Sequence, residues 1–491
     1  MRQNDLEEFA FSSVVEVAEA IRKGKTTSLE LTEHTLSRIR RFNPEINSIV
    51  SLMTEQALAR AREADEALGD GVIWGPLHGV PITVKDHYEI AGVVTTCGSP
   101  EYANHVPKKN AVIVQRLQNA GAVILGHTNV PYLAADWQSY NDVYGTTVNP
   151  WNRGMTPGGS SGGCAASLAA GLSFLSLGSD FAGSIRVPAH FCGIYGHRPS
   201  IGTAPLRGSV PGSMDCVHRP PSRMSTPGPM ARSPDDLRLA MEVIGGPDEY
   251  ESNAYKWSIP EPRHKKLDMY RIGYVIDEPL CPLNPDVQVV LGNTMNQLSK
   301  NVASAEEGWP PKVDSAEQFH LFKLLRYADK AAQLKDENLE ETKEIAKRKD
   351  IDDEGLMAWV WTNEQRHHIR FEELRIATRD LWQQVFNDID VFLMPVDYTT
   401  AFPHDHRDPM TKRTIKTKWG TRQYMDQLFW MTFSSITGLP CTVAPIGFTN
   451  SGLPVGVQIM GPYLEDGTTI QFAKLICEII GGYVEPPGFR L

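Results

Sequence analysis

The sequence lacks the features that would place it outside the ordinary globular proteins. Its seven cysteines (Cys97, Cys164, Cys192, Cys216, Cys281, Cys441, Cys477) are odd in number and scattered, with no Cys-x-x-Cys pair. That excludes a paired disulfide framework and the usual zinc spacings, and fits reduced thiols in a cytoplasmic protein. The longest apolar run, between Gly163 and Gly178, is interrupted by Ser and Gly and is too short to span a bilayer. The first residues, Met1-Arg-Gln-Asn-Asp-Leu-Glu-Glu, show no basic stretch leading into an apolar one, so no secretory signal is expected. Positive charge is also short: the formal net charge is -11, which makes a nucleic-acid backbone a poor partner for the surface as a whole. Phosphate-loop chemistry is missing too. Gly24-Lys25-Thr26-Thr27 resembles the end of such a loop, but position 19 is Glu where Gly is required. His404-Asp-His406 and His367-His368 have no partner at ligand spacing, so no metal is expected at either.

With 41% apolar and 22% charged residues over 491 positions, the chain has the composition of a folded protein with a large core. Apolar positions repeat with helical spacing over 14–23, 28–40 and 53–68, and Thr27 or Ser28 is a cap for the second. From about 76 to 245 short apolar runs alternate with helical stretches. Ile82–Lys85, Ala122–Leu125 and Leu172–Leu175 read as buried strands, Asn110–Asn119 and Cys164–Ala170 as helices. The segments Leu334–Arg348 and Glu354–Phe386 read as charged helices. Strands follow at Asp388–Pro395, Leu439–Gly447 and Val455–Gly461. This predicts an α/β fold, a central mixed sheet flanked by helices on both faces. We expect one domain with a core over about 76–245 and 430–485, N-terminal helices over 1–75, and a helical insertion or rim over about 305–425.

Three stretches carry chemistry. Gly158-Gly-Ser160-Ser161-Gly-Gly163 formally contains a Gly-x-Ser-x-Gly nucleophile elbow, but the residues before it, Asn149–Pro157, have the chemistry of a loop and not of a strand. Ser160 or Ser161 reads equally as a cap for the following helix. Gly178-Ser-Asp180-Phe-Ala-Gly183-Ser184-Ile-Arg186 sets a second serine in a glycine-containing loop. There the N–H groups of Phe181, Ala182, Gly183 and Ser184 can converge on an oxyanion, with Asp180 and Arg186 as a bracing ion pair. Lys85, at the end of an apolar strand, reads either as a base whose pKa burial lowers or as a lysine paired with Asp86. A base near neutral pH requires a fall of about three units from about 10.4.

Taken together and in order, these stretches resemble the amidase signature family, as do Gly126-His-Thr-Asn129, Tyr144-Gly-Thr-Thr-Val-Asn-Pro150 and Pro454-Val-Gly-Val-Gln-Ile-Met-Gly461. The resemblance covers most of 75–245 and about 435–475. It implies that Ser184 is the nucleophile, that Ser160 follows a cis peptide bond and relays protons, that Lys85 is the base and that Ser161 supports them. It also implies hydrolysis of amide C–N bonds through a serine acyl-enzyme, without a cofactor. Three positions depart from the pattern: Ala182 replaces a common Gly, and His87 and His127 stand where Asn and Lys are more usual. Ala134, by its backbone, matches a position that contacts substrate; Trp137 and Tyr140 lie close to it and read equally as substrate contacts or as core packing, and Pro205–Pro221 and Pro395–Thr417 are candidate entrance segments. The expected partner is a small or aryl amide, extending to carbamates, with the chain a monomer or homodimer free of membrane and nucleic acid. The alternatives are the amidase component of a tRNA-dependent amidotransferase, whose usual Glu-Phe-Ala-Met segment has no counterpart in Val130–Trp137, and an inactive scaffold of the same fold.

Overall fold

Short runs, many of them bounded by Gly or Pro, become strands of one sheet in the computed structural model. It describes residues 6–210, 223–248, 250–331, 334–348 and 352–491. The strands are β1 (Ile49–Leu52), β2 (Pro81–Lys85), β3 (Val123–Thr128), β4 (Leu175–Asp180), β5 (Tyr195–Arg198), β6 (Thr226–Ala231), β7 (Arg271–Tyr274), β8 (Ser304–Glu307), β9 (Val391–Pro395), β10 (Cys441–Phe448) and β11 (Pro454–Met460). Their spatial order is β1-β3-β2-β4-β6-β5-β10-β11-β9-β7-β8. Pairing is parallel through β3-β2-β4 and β9-β7-β8 and antiparallel at the other junctions, which makes the sheet mixed.

Period-two alternation shows that both faces are covered. On β3, Val123 and Leu125 join an apolar cluster with Leu36, Ile39 and Phe42 of helix Ser28–Ile46 and Ala57 and Ala61 of helix Thr54–Gly69. Ile124, between them, faces the main core with Ile82 and Val84. Against β2, β3, β4 and β6 lies helix Gly162–Ala169, whose small side chains are all buried and permit close approach to the sheet. At Gly163 a Cβ would lie 2.4 Å from the Asn129 nitrogen, so only glycine fits there.

Several boundaries differ from the sequence reading for local reasons. The second helix is capped by Thr27 in a reciprocal capping box with Glu30, and it runs past Pro44 to Ile46 before Asn47 turns left-handed at φ 50°. The strand expected at 172–175 begins only at Leu175, because the Leu172 N–H is taken by the Ser167 carbonyl and Ser173 Oγ bonds the Leu175 carbonyl. The long charged run divides into helices Asp353–Thr362 and Gln365–Asp388, with Asn363 extended between them. Cys216 and most of Pro205–Pro221 lie outside the described residues.

Candidate active site

Parallel neighbours β2 and β4 end at the same sheet edge, with Val84 opposite Leu177. That register brings Lys85 beside Ser179. Lys85 is fully buried, and its Nζ donates to Ser160 Oγ at 2.7 Å and to Ser179 Oγ at 2.9 Å. Burial penalises the ammonium and takes its pKa down to about 8, against an upward pull from Cys164, Cys97 and Asp180. The carboxylate of Asp86, the alternative partner for Lys85, turns to the Thr96 N–H at 2.9 Å and to the Thr96 hydroxyl.

The glycine loop carries Ser160 against this lysine. Gly158 has φ +86°, and a Cβ there would stand 2.8 Å from Pro188 Cα. At Gly159 a Cβ would come within 2.7 Å of the backbone of Asp136, Trp137 and Gln138, so the loop lies directly on that segment. The Gly159–Ser160 peptide is cis and Ser160 is buried. Next in the chain, the Ser161 N–H donates to the Ser184 carbonyl at 3.1 Å and the Ser161 hydroxyl to the Ser179 carbonyl at 3.3 Å. These two bonds tie the loop of Ser160 to the loop of Ser184. Ser184 is 9% exposed, and its hydroxyl takes no hydrogen bond among the described residues.

The loop after β4 is organised by Asp180. Its carboxylate pairs with Arg186 at 3.0 Å and Arg198 at 3.4 Å, and accepts the N–H groups of Gly183 at 2.9 Å and Ile185 at 3.2 Å. Burial raises this carboxyl's pKa, but the two guanidinium groups outweigh it and hold the group well below the usual carboxylate range. Of the four N–H groups expected to face an oxyanion, the Gly183 N–H is therefore committed to Asp180, while those of Phe181, Ala182 and Ser184 have no partner among the described residues. Gly183 takes φ +90°, and a Cβ there would meet Met431 Sδ at 2.3 Å. Ala182 does not need the left-handed backbone, which is why a methyl group is tolerated there.

Leu133 and Ala134 are both left-handed (φ 48° and 55°), a costly state for two successive non-glycine residues. Trp137 is buried, and its indole Nε1 donates to the Ala182 carbonyl at 2.8 Å. Tyr140 stacks on His406 with ring centroids 3.6 Å apart and accepts from Arg413 at 2.7 Å. The stretch 405–424 thus meets residues 136–140: Arg413 and Tyr424 both bind the Asp136 carboxylate. Gln138 donates to the Asp405 carbonyl at 2.7 Å and accepts the Asp405 N–H at 2.9 Å.

Sequence reasoning passes over Ser179, Arg198 and Gln458. Gln458 accepts from Arg186 at 3.0 Å and donates to the Pro395 and Trp430 carbonyls. Ser179 has a usable signal, since it immediately precedes Asp180, a residue the sequence does pick out. Arg198, 18 residues on from Asp180, has no local mark, and Gln458 sits within the Pro454–Gly461 stretch that carries the resemblance but nothing there names its partners. His127 reaches the Val94 carbonyl at 3.2 Å and the Tyr88 carbonyl at 3.0 Å, while burial and the Lys85 charge push His87 well below its ordinary value. No group of three His, Cys, Asp or Glu suited to a metal occurs among the described residues, and no helix there is long and apolar enough to cross a membrane.

Known proteins bear out the resemblance. The family model described as Amidase matches residues 30–470. The A subunit of the glutamyl-tRNA(Gln) amidotransferase of Carboxydothermus hydrogenoformans is 30% identical over 489 residues, covering 95% of this chain and 96% of that one. A solved s-triazine catabolic enzyme complex superposes with a TM-score of 0.80 at 26% identity, over 96% of this chain and 100% of its own. A bacterial aryl acylamidase of the amidase signature shares the fold with a TM-score of 0.79 at 22% identity, over 95% of this chain and 96% of its own. With the family model spanning nearly the whole chain, this protein belongs to the amidase signature family.

Proposed function

We propose that this chain hydrolyses small or aryl amides, and carbamates as a second class, through an acyl-enzyme on Ser184. The observation that carries the reading is the buried Lys85 Nζ at 2.7 Å from Ser160 Oγ, in a site where burial brings the lysine within reach of its neutral form. Ser184 Oγ attacks the substrate carbonyl carbon and passes its proton to Ser160, which passes its own to neutral Lys85. The oxyanion is received by the free N–H groups of Phe181, Ala182 and Ser184. As the C–N bond breaks, the proton returns through Ser160 to the leaving amine. Water then attacks the ester carbonyl, gives its proton along the same relay and releases the acid and Ser184. Ser161, Asp180 and Arg186 hold the two serine loops in register. Half-buried Phe181 and the Met431 sulfur beside Gly183 favour an apolar or aryl acyl group. The late segment 305–425 forms the rim over Ala134, Trp137 and Tyr140.

A second reading follows from the likeness to the amidotransferase component over nearly the full length of both chains: glutamine hydrolysis in partnership with a second protein. One panel separates the two. A nitroanilide, a long-chain anilide, a small aliphatic amide, an aryl carbamate and glutamine are assayed with the wild type and Ser184→Ala. Anilide or carbamate turnover that falls by about 10⁴-fold or more in a folded Ser184→Ala protein is the expected result. Near-normal turnover in that variant would refute the nucleophile, and activity on glutamine alone would select the second reading.

A further inference from the structure

The N–H groups that face a developing oxyanion are only as well aimed as the peptide planes that carry them. One plane in the loop after β4 is held at both ends by side chains. The Ala182–Gly183 peptide has its carbonyl bound by Trp137 Nε1 at 2.8 Å and its N–H bound by Asp180 Oδ1 at 2.9 Å. A peptide unit is planar, so fixing its oxygen and its hydrogen fixes its rotation. That plane lies between Ala182 Cα and Gly183 Cα, the two pivots about which the Ala182 and Ser184 N–H groups turn. The next plane is held by the backbone itself, through the Val187 N–H to the Gly183 carbonyl at 2.7 Å. Gly183, at φ +90°, has no side chain to limit this rotation, so the restraint must come from hydrogen bonds to the peptide itself.

Trp137 is anchored for that task. Its two neighbours reach away from the catalytic loops: Asp136 to Arg413 and Tyr424, and Gln138 to both backbone groups of Asp405. Its own backbone lies against Gly159, next to the cis peptide that carries Ser160. Residues 136–138 therefore touch the loop of the relay serine, the loop of the nucleophile and the rim segment at once. We infer that Trp137 is a positioning residue for the oxyanion-binding loop, its indole N–H and the Asp180 carboxylate clamping the Ala182–Gly183 peptide, and not a wall of the substrate pocket. The inference rests on the serine mechanism proposed above.

Trp137→Phe keeps the ring and deletes the N–H. With rates normalised to active sites counted by fluorophosphonate titration, kcat on the preferred anilide falls on the order of 10- to 100-fold and KM stays within about twofold. Affinity for a trifluoromethyl ketone, which forms a tetrahedral oxyanion on the nucleophile, falls by the same factor, while affinity for the product carboxylate is unchanged. Trp137→His, which restores a ring N–H, recovers part of kcat. A raised KM with unchanged kcat, or ketone and carboxylate affinities falling together, would make Trp137 a substrate contact and overturn the inference. Turnover persisting in Ser184→Ala removes the serine chemistry and this inference with it. An inactive Ser184→Ala beside a Trp137→Phe with wild-type constants overturns this inference alone.

Discussion

Lys85 shows how a residue's chemistry is set by where its strand ends. It is hydrogen-bonded to two hydroxyl groups and has no carboxylate partner within the site, so burial dominates and its pKa falls to about 8. The drop is somewhat smaller than the three units expected from the sequence, because nearby Asp180 and the thiols favour the ammonium. A base must be neutral to act, so kcat/KM should rise with pH through about 8 and level off above about 9. At pH 7 about a tenth of the molecules carry the neutral amine. The pH–rate profile of the wild type checks this: a rate already flat between pH 6 and 9 would mean that Lys85 does not titrate as the base. Lys85→Ala removes the acceptor and should cost several orders of magnitude in acylation rate, read by burst kinetics, with folding retained.

At the scale of elements, the strands adjoining the site were legible where they were short, apolar and bounded by Gly or Pro, as β2 and β3 were. β6 was not. Its sequence, Thr-Pro-Gly-Pro-Met-Ala, contains two prolines that cannot donate to a ladder, which argues against a central strand. It persists because it pairs with β4 over six residues and with β5 over only two. Tertiary pairing decided that element, and local propensity could not reveal it. The end of β4 carries the sharpest energetic consequence, since Asp180 neutralises two fully buried arginines. Asp180→Asn leaves both without their counter-charge and should destabilise the fold by about 3–5 kcal/mol, measured by urea unfolding. The native carboxyl pKa lies below its unfolded value near 3.9. Its stabilisation is therefore complete above about pH 4 and is lost only as pH falls further. Loss of stability between pH 8 and 6 must have another source.

Across the whole molecule, the candidate site is assembled from segments hundreds of residues apart. The motifs at 79–86, 158–163 and 178–188 were readable because their chemistry is local. The contacts of 136–138 with 405–424 were not, because nothing in either stretch names its partner. Long-range closure of this kind recurs away from the site, at Arg38. This arginine is 1% exposed; it pairs with Glu7 and donates to the carbonyls of Gly171, Ala170 and Phe489. One guanidinium thus joins the N-terminal segment, helix Ser28–Ile46, the turn before β4 and the C-terminal tail, whose Leu491 N–H also reaches Glu7 at 3.1 Å. Arg38→Met keeps the apolar stem but leaves three carbonyls without their donor and takes the guanidinium from Glu7, which retains His34 at 3.0 Å and the Leu491 N–H. We expect a loss on the order of 3–5 kcal/mol in urea unfolding, because three buried carbonyls lose their donor and Glu7 its guanidinium. Lys85, Ser160 and Ser184 lie outside this network, so kcat per active site should match the wild type when sites are counted by fluorophosphonate titration. A fall in kcat at full titre would show that the closure of the two termini reaches the serine loops, and unchanged stability would show that the tie contributes nothing beyond the packing of its stem.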